Sequence, residues 1–330
     1  MQDRPAPTPR HPRALGGDTA RGRQREAIVS LGDQILGNTT DARLDVPRKP
    51  SWIRAKAPGG DGYLKLKSQL KELGLHTVCQ EASCPNLGEC WGRGTATIMI
   101  LGDTCTRACG FCNVKTGRPP VTDPDEPRRV AEMLARTDLK HVVITSVDRD
   151  DLPDGGAAIW ADTIRRTRAA CPTLGIETLV GDFKGNLQDL QVVMDAAPDI
   201  LAHNVETVSR MHEAVRPQAR YDRSIEVLAA IKQGGLVAKT SLMVGIGERD
   251  DELLETMMDI RQRAETDILT IGQYLQPTRN HLPVDRWVPP ASFDAWKQAG
   301  LDMGYRVVES GPLVRSSYHA ESQAEAAASR

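Results

Sequence analysis

The sequence predicts an α/β protein in which βα units repeat around one parallel sheet. Six short β-rich apolar runs recur from residue 95 onward, at 95–101, 141–147, 175–180, 199–206, 236–245 and 267–275. Amphipathic segments lie between them, among them PRRVAEMLARTD, AAIWADTIRRTRAA, LQDLQVVMDAA, RSIEVLAAIKQGG and DELLETMMDIRQRAE. Each strand-to-strand spacing is close to one βα unit, which calls for crossovers and not hairpins. A six-unit partial barrel and an open doubly wound sheet both fit the pattern, and no Gly-rich dinucleotide fingerprint follows any strand. In either architecture the working residues belong at the C-terminal ends of the strands.

The flanks are less regular. Residues 1–45 carry arginines and prolines without an apolar stretch, so they read as a disordered extension and not a secretory signal, with a transit peptide as the alternative. Cytoplasm is therefore the expected compartment and the mitochondrial matrix its alternative. Residues 46–94 form an N-terminal arm: DVPRKPSWIRAKAP is basic and Pro-punctuated, its Trp52 and Ile53 suggest packing on the body, and 62–75 has a helical apolar face. The barrel is expected over 95–310, and 311–330 is a C-terminal segment whose tail reads as frayed helix or coil.

Composition excludes several classes. The 330 residues are 40% hydrophobic, 26% charged and 4% aromatic, with a net charge of −2. Neither a basic field nor an aromatic platform points to nucleic acid, and no apolar run reaches the roughly 18–20 residues of a membrane span. Six of the seven cysteines lie between 79 and 112, a clustering that in a reducing compartment points to metal. Cys171, standing apart, reads as a small buried apolar residue.

The six form two triplets. CTRACGFC places Cys105, Cys109 and Cys112 directly after the first strand, in the first βα loop. Structural zinc needs four protein ligands, whereas three thiolates within eight residues suit three corners of a four-iron cubane with one iron left open. CQEASCPNLGEC, with Cys79, Cys84 and Cys90, is looser and alone would also admit zinc.

The three-and-two spacing after a first strand resembles the radical S-adenosylmethionine (SAM) superfamily. The segments KPSWIRAKAP, VCQEASCPNLGECW, GTATIMILGDTCTRACGFCNV, VVITSVDRDDLPDGGA, HNVETV, VRPQARYDRS, KTSLMVGIGE, GQYLQPTRNHLPV and GPLVRSSYHA, spread over about 49–320, are similar to the lipoyl synthase family. That resemblance implies a partial (β/α)6 TIM-like barrel of the radical SAM type, with the arm and the C-terminal segment capping it. It implies two [4Fe–4S] clusters: a SAM-binding one on Cys105, Cys109 and Cys112, and an auxiliary sulfur-donating one on Cys79, Cys84, Cys90 and a serine of the RSSY motif. Ser317 is the expected ligand and Ser316 the alternative. SAM is the implied cosubstrate, and the reaction adds two sulfurs to an octanoyl group. Implied partners are an octanoylated lipoyl-carrier protein (the lipoyl domain of a 2-oxoacid dehydrogenase E2 or the glycine cleavage H protein) and an electron donor such as ferredoxin or flavodoxin, with neither nucleic acid nor membrane. The rivals are biotin synthase-like sulfur chemistry and a simple electron carrier.

Five further residues are candidate SAM contacts. Thr145 and Asp148 end the second strand, Asn204 follows the fourth beside His203 and Glu206, Arg216 precedes a proline, and Lys239 alternates with apolar neighbours in the fifth. An inward Lys239 requires an anionic partner. The glycine-rich GIGE turn (245–248) and Gln273, Tyr274 and Gln276 are expected beside the cavity.

Overall fold

A computed structural model describes residues 48–54, 59, 61–81 and 84–328. The expected extension over 1–45 lies outside them. In the arm, Ile53 is buried while Trp52 is 41% exposed, so the two side chains reach different surroundings.

All six predicted strands are present, in a sheet of eight: β1 (His76–Thr77), β2 (Thr95–Ile100), β5 (His141–Ser146), β6 (Gly175–Leu179), β7 (Ile200–Ala202), β8 (Val237–Val244), β9 (Ile268–Gln273) and β10 (Val307–Gly311). They stand side by side in sequence order; β1 runs antiparallel to β2 and every other pairing is parallel. A separate two-stranded ladder, β3 (Thr104–Cys105) with β4 (Lys115–Thr116), brackets the second cysteine triplet. Strands β2 and β9 are buried at all six positions, which is why they read as continuous apolar runs and not as alternation.

The helices are α1 (Asp61–Glu72), α2 (Val78–Glu81), α3 (Leu87–Gly92), α4 (Glu126–Ala135), α5 (Ala157–Ala170), α6 (Leu187–Met194), α7 (His212–Val215), α8 (Tyr221–Gln233), α9 (Asp250–Ala264), α10 (Pro290–Asp302) and α11 (Ala320–Ala328). From α4 onward, apolar side chains such as Met133, Trp160, Leu190, Leu228 and Met257 pack into one core with the strands.

Two features go beyond the expected six units. β10 is a seventh parallel strand; its Arg306, Glu309 and Ser310 leave only two consecutive valines as apolar signal. The tail is a packed helix and not a frayed one. Ala320 and Ala327 of α11 are buried, and Ala324 and Ala327 sit against Ile200, Val237, Ile268 and Val307, the first residues of β7 to β10. Alanines bury too little surface to write an apolar stripe that sequence periodicity reveals.

β7 is shorter than its predicted run. The chain leaves the ladder after Ala202 and rejoins it at a single bridge between Glu206 and Leu242. Glu206 takes a φ of +72°, uncommon for a side-chain-bearing residue. Such departures cluster where side chains are redirected toward a ligand.

Candidate active site

The CTRACGFC loop follows β2 and is tied from three sides. Thr106 N donates to Asp148 O at 3.0 Å, Gly110 N to Val215 O at 2.9 Å, and Leu282 N to Gly110 O at 3.0 Å. His281 meets Cys112 O at 2.9 Å, and Thr278 meets its other ring nitrogen. Gly110 packs tightly here, and a Cβ would come within 2.7 Å of the Leu282 side chain, which would have to shift.

Burial pushes the Cys109 thiol up to about 12 and the Cys112 thiol up to about 11. Burial and then the Asp148 carboxylate raise Cys105 as well. The surrounding donors oppose this: Arg107 N and Asp148 N point at Cys105 Sγ from 3.4 and 3.3 Å, and the Arg216 charge acts on Cys109. Buried thiols ringed by N–H donors are suited to a bound cation, which makes them thiolates outright.

Arg107, between two of these cysteines, forks onto Asp150 with two 2.8 Å bonds and reaches Asp182 at 2.6 Å. Burial opposes the Asp182 charge, but that guanidinium holds its carboxyl below the ordinary range. Sequence reasoning passed over this network; the available signal was an arginine inside the triplet with carboxylates closing the next two strands.

The predicted SAM residues divide. Asp148 lies at the loop, facing Arg107 Nη1 at 3.7 Å, and a Cβ at Gly181 would overlap its carboxylate. Arg216 Nη1 donates to Asn204 O at 2.7 Å, and Asn204 Nδ2 donates to Glu206 at 3.0 Å. Asn204 Oδ1 and Arg216 Nε are buried without protein partners, and the Glu206 field reaches Cys112. These four are thus gathered beside the cysteines. Thr145 instead donates to Leu179 O at 3.0 Å, within the sheet. Lys239 is fully buried and bonds both Glu177 oxygens at 2.8 and 3.0 Å, near the opening residues of the strands. Glu177 is the anionic partner an inward lysine requires, and the pair is not brought to the cysteines.

Other expected cavity groups are consumed by the scaffold. Glu248 accepts from Gly245 N and Ile246 N, closing the GIGE turn on itself. Gln273 ties Val244, Arg286 and Val288, and Tyr274 donates to Leu282 O at 2.7 Å. His203 bridges Val180 O and Ser224, with burial lowering it to about 4.

The other triplet lies where the arm meets the C-terminal segment. Cys79 is on α2 and Cys90 on α3. Burial pushes Cys90 up to about 12, with the fields of Cys84 and Cys79 adding to it, so the three thiols face one another. Burial raises the Cys79 thiol as well, and the field of Cys84 adds to it, while Thr97 and Trp91 favour the thiolate.

The RSSY segment closes over this triplet. Thr97 Oγ1 donates to Ser317 Oγ at 2.9 Å, and Thr95 Oγ1 donates to Glu321 at 2.7 Å. Asn86 Nδ2 donates to Leu313 O at 2.6 Å, and Arg93 pairs with Glu321 at 2.7 Å. Tyr318 and His319 both meet Glu89 at 3.1 Å, and Arg315 lies within the field of Cys84.

Among the described residues, no three His, Cys, Asp or Glu side chains converge on a single ion. Four thiolates on one zinc would stand about 3.8 Å apart; a cubane is gripped at its corners and needs a wider spread. In donor chemistry, three soft thiols gathered at each place suit such a cluster.

Comparison with known proteins agrees. Residues 99–260 match the radical SAM superfamily, and residues 23–84 match the N-terminal domain of lipoyl synthase of the radical SAM family. The chain is 53% identical to lipoyl synthase of Rubrobacter xylanophilus, over 84% of this chain and 87% of that one. It is 49% identical to mitochondrial lipoyl synthase of Nematostella vectensis, over 86% and 98%. It is 50% identical to lipoyl synthase of Flavobacterium johnsoniae, over 83% and 96%. With two cysteine triplets on one parallel barrel and this identity over most of its length, the chain belongs to the lipoyl synthase family of radical SAM enzymes.

Proposed function

We propose that this enzyme inserts two sulfur atoms at C6 and C8 of an octanoyl group carried on a lysine of a lipoyl-carrier protein. Cys105, Cys109 and Cys112 hold the SAM-binding cluster; Cys79, Cys84, Cys90 and Ser317 hold the one that serves as sulfur substrate. The first cluster, when bound, supplies the electron that cleaves SAM and so allows hydrogen to be taken from unactivated carbon.

The chain's own groups do the rest. Asp148, Asn204, Glu206 and Arg216 offer one end of the barrel a polar lining for SAM, with a donor and an acceptor still free. Thr145 and Lys239, first expected at SAM, act in the sheet. The observation that carries the assignment of the serine is the 2.9 Å hydrogen bond between Ser317 and Thr97, whose hydroxyl in turn acts on Cys79. Oxygen is a harder, poorer partner for cluster iron than thiolate, which suits a cluster that must give up its sulfur.

The carrier is a lipoyl domain of a 2-oxoacid dehydrogenase E2 or the glycine cleavage H protein, and the electron donor is a ferredoxin or flavodoxin. The exposed arm residues Arg48, Lys49 and Arg54 offer an acidic carrier a docking face. The working compartment is the cytoplasm; among the described residues no helix is long and apolar enough to cross a membrane.

The test supplies anaerobic enzyme with SAM, dithionite and an octanoylated carrier peptide. Expected is a mass gain of two sulfurs with release of 5′-deoxyadenosine. Release of the nucleoside without that gain removes the sulfur assignment, and absence of both leaves only an electron carrier.

A further inference from the structure

We propose that Thr97 is a positioning residue for the sulfur-donor site, holding Ser317 in place through the hydrogen bond between their hydroxyls. The inference rests on the reading that Ser317 closes that site. Nothing about the chemistry of SAM cleavage enters it.

Thr97 is the third residue of β2 and only 5% exposed. It is held on one side by parallel pairing with Val143, and its neighbour Ile98 pairs with β1. A β-branched side chain on a rigid strand has few rotamers, so its hydroxyl points where the strand puts it. Thr95, two residues earlier on the same face, donates to Glu321, four residues beyond Ser317. Alternate residues of the strand therefore meet successive turns of the C-terminal segment, and that register fixes which hydroxyl faces the triplet.

The direction of the bond matters. A serine oxygen bound to iron has no proton to give and can only accept. The Thr97 and Ser317 hydroxyls stand 2.9 Å apart, and the Thr97 proton can serve a coordinated Ser317 without either side chain moving. Ser316, by contrast, has no such donor recorded beside it. Thr97 also lowers the thiol of Cys79 against burial, so one strand residue acts on two of the four groups assigned to this site.

The test measures iron release to bathophenanthroline from anaerobically reconstituted full-length enzyme. Comparison covers the parent, Thr97→Val, Thr97→Ser, Ser317→Ala and the Thr97→Val/Ser317→Ala double variant, with 5′-deoxyadenosine release as a check on the other site. Loss of one hydrogen bond predicts roughly five-fold faster release from Thr97→Val. Thr97→Ser restores the parental rate, SAM cleavage is unchanged, and the double variant is no faster than Ser317→Ala alone. Parental release from Thr97→Val beside fast release from Ser317→Ala overturns the role of Thr97, as do multiplying rates in the double variant. Parental release from Ser317→Ala overturns the serine ligand itself. If Thr97→Val loses SAM cleavage through misfolding, Thr97→Ala is read against the same outcomes.

Discussion

Arg107 and Asp150 meet fork to fork, with Nε and Nη2 each 2.8 Å from a carboxylate oxygen, in a pairing whose arginine side chain is only 2% exposed. The arginine belongs to the CTRACGFC loop and the aspartate to the loop after β5, so their bond sets the one against the other. Planar bidentate geometry is something lysine cannot reproduce. Arg107→Lys is expected to lower SAM cleavage at least ten-fold while iron at the other triplet is kept. Arg107→Ala, which also leaves Asp182 with Arg223 as its remaining arginine, should destabilise the fold by about 3–5 kcal/mol. Denaturant titration beside 5′-deoxyadenosine release separates the two effects.

Lys239 and Glu177 form a buried pair away from the cysteines, and burial works against the Glu177 charge while Lys239 holds its carboxyl low. Removing one partner leaves an uncompensated charge in the core. Lys239→Met is expected to cost about 3–5 kcal/mol, and adding Glu177→Leu should return most of it. Urea unfolding of the single and double variants checks this; equal losses would mean the lysine acts elsewhere.

Gly272 of β9 lies so close to the C-terminal segment that a Cβ there would overlap the Val314 carbonyl oxygen. Gly272→Ala is therefore expected to push Val314 and its neighbours off the sheet. Total iron should fall toward half as the auxiliary triplet loses its share, while SAM cleavage persists. Iron and sulfide analysis reads the outcome directly.

Burial and the Arg216 charge lower His203 to about 4, and the same causes lower His212 to about 3. Both are neutral in the folded protein where the unfolded chain, titrating near 6.5, takes up protons. Their neutral state costs nothing above pH 6.5; below it, stability falls as pH drops, until the folded values are reached. Each contributes up to about 1.4 kcal/mol per pH unit across that window. Melting temperatures from pH 7 to pH 4 should decline, and less steeply in His212→Phe.

Much of this was legible in the sequence. The βα repeat showed because buried parallel strands are written as unbroken apolar runs, and the cysteines showed because ligand spacing within one loop is a local property. Ser317 was named through family resemblance; its neighbour Thr97 was not, since a hydrogen bond spanning 220 residues leaves no local trace. Lys239 read correctly as inward and in need of an anion, but its height along the strand depends on register, which the pattern does not specify. β10 and α11 escaped because two valines and a run of alanines carry little contrast.

The bonds from Asn86, Arg93, Thr95 and Thr97 to residues 313–322 join parts of the chain made far apart in time. At cellular synthesis rates roughly 10–45 s separate the two ends of the Thr97–Ser317 bond. Throughout that interval Cys79, Cys84 and Cys90 exist without the segment that lies over them. The cover over this triplet therefore comes late, because the order of translation supplies residues 313–322 long after the cysteines.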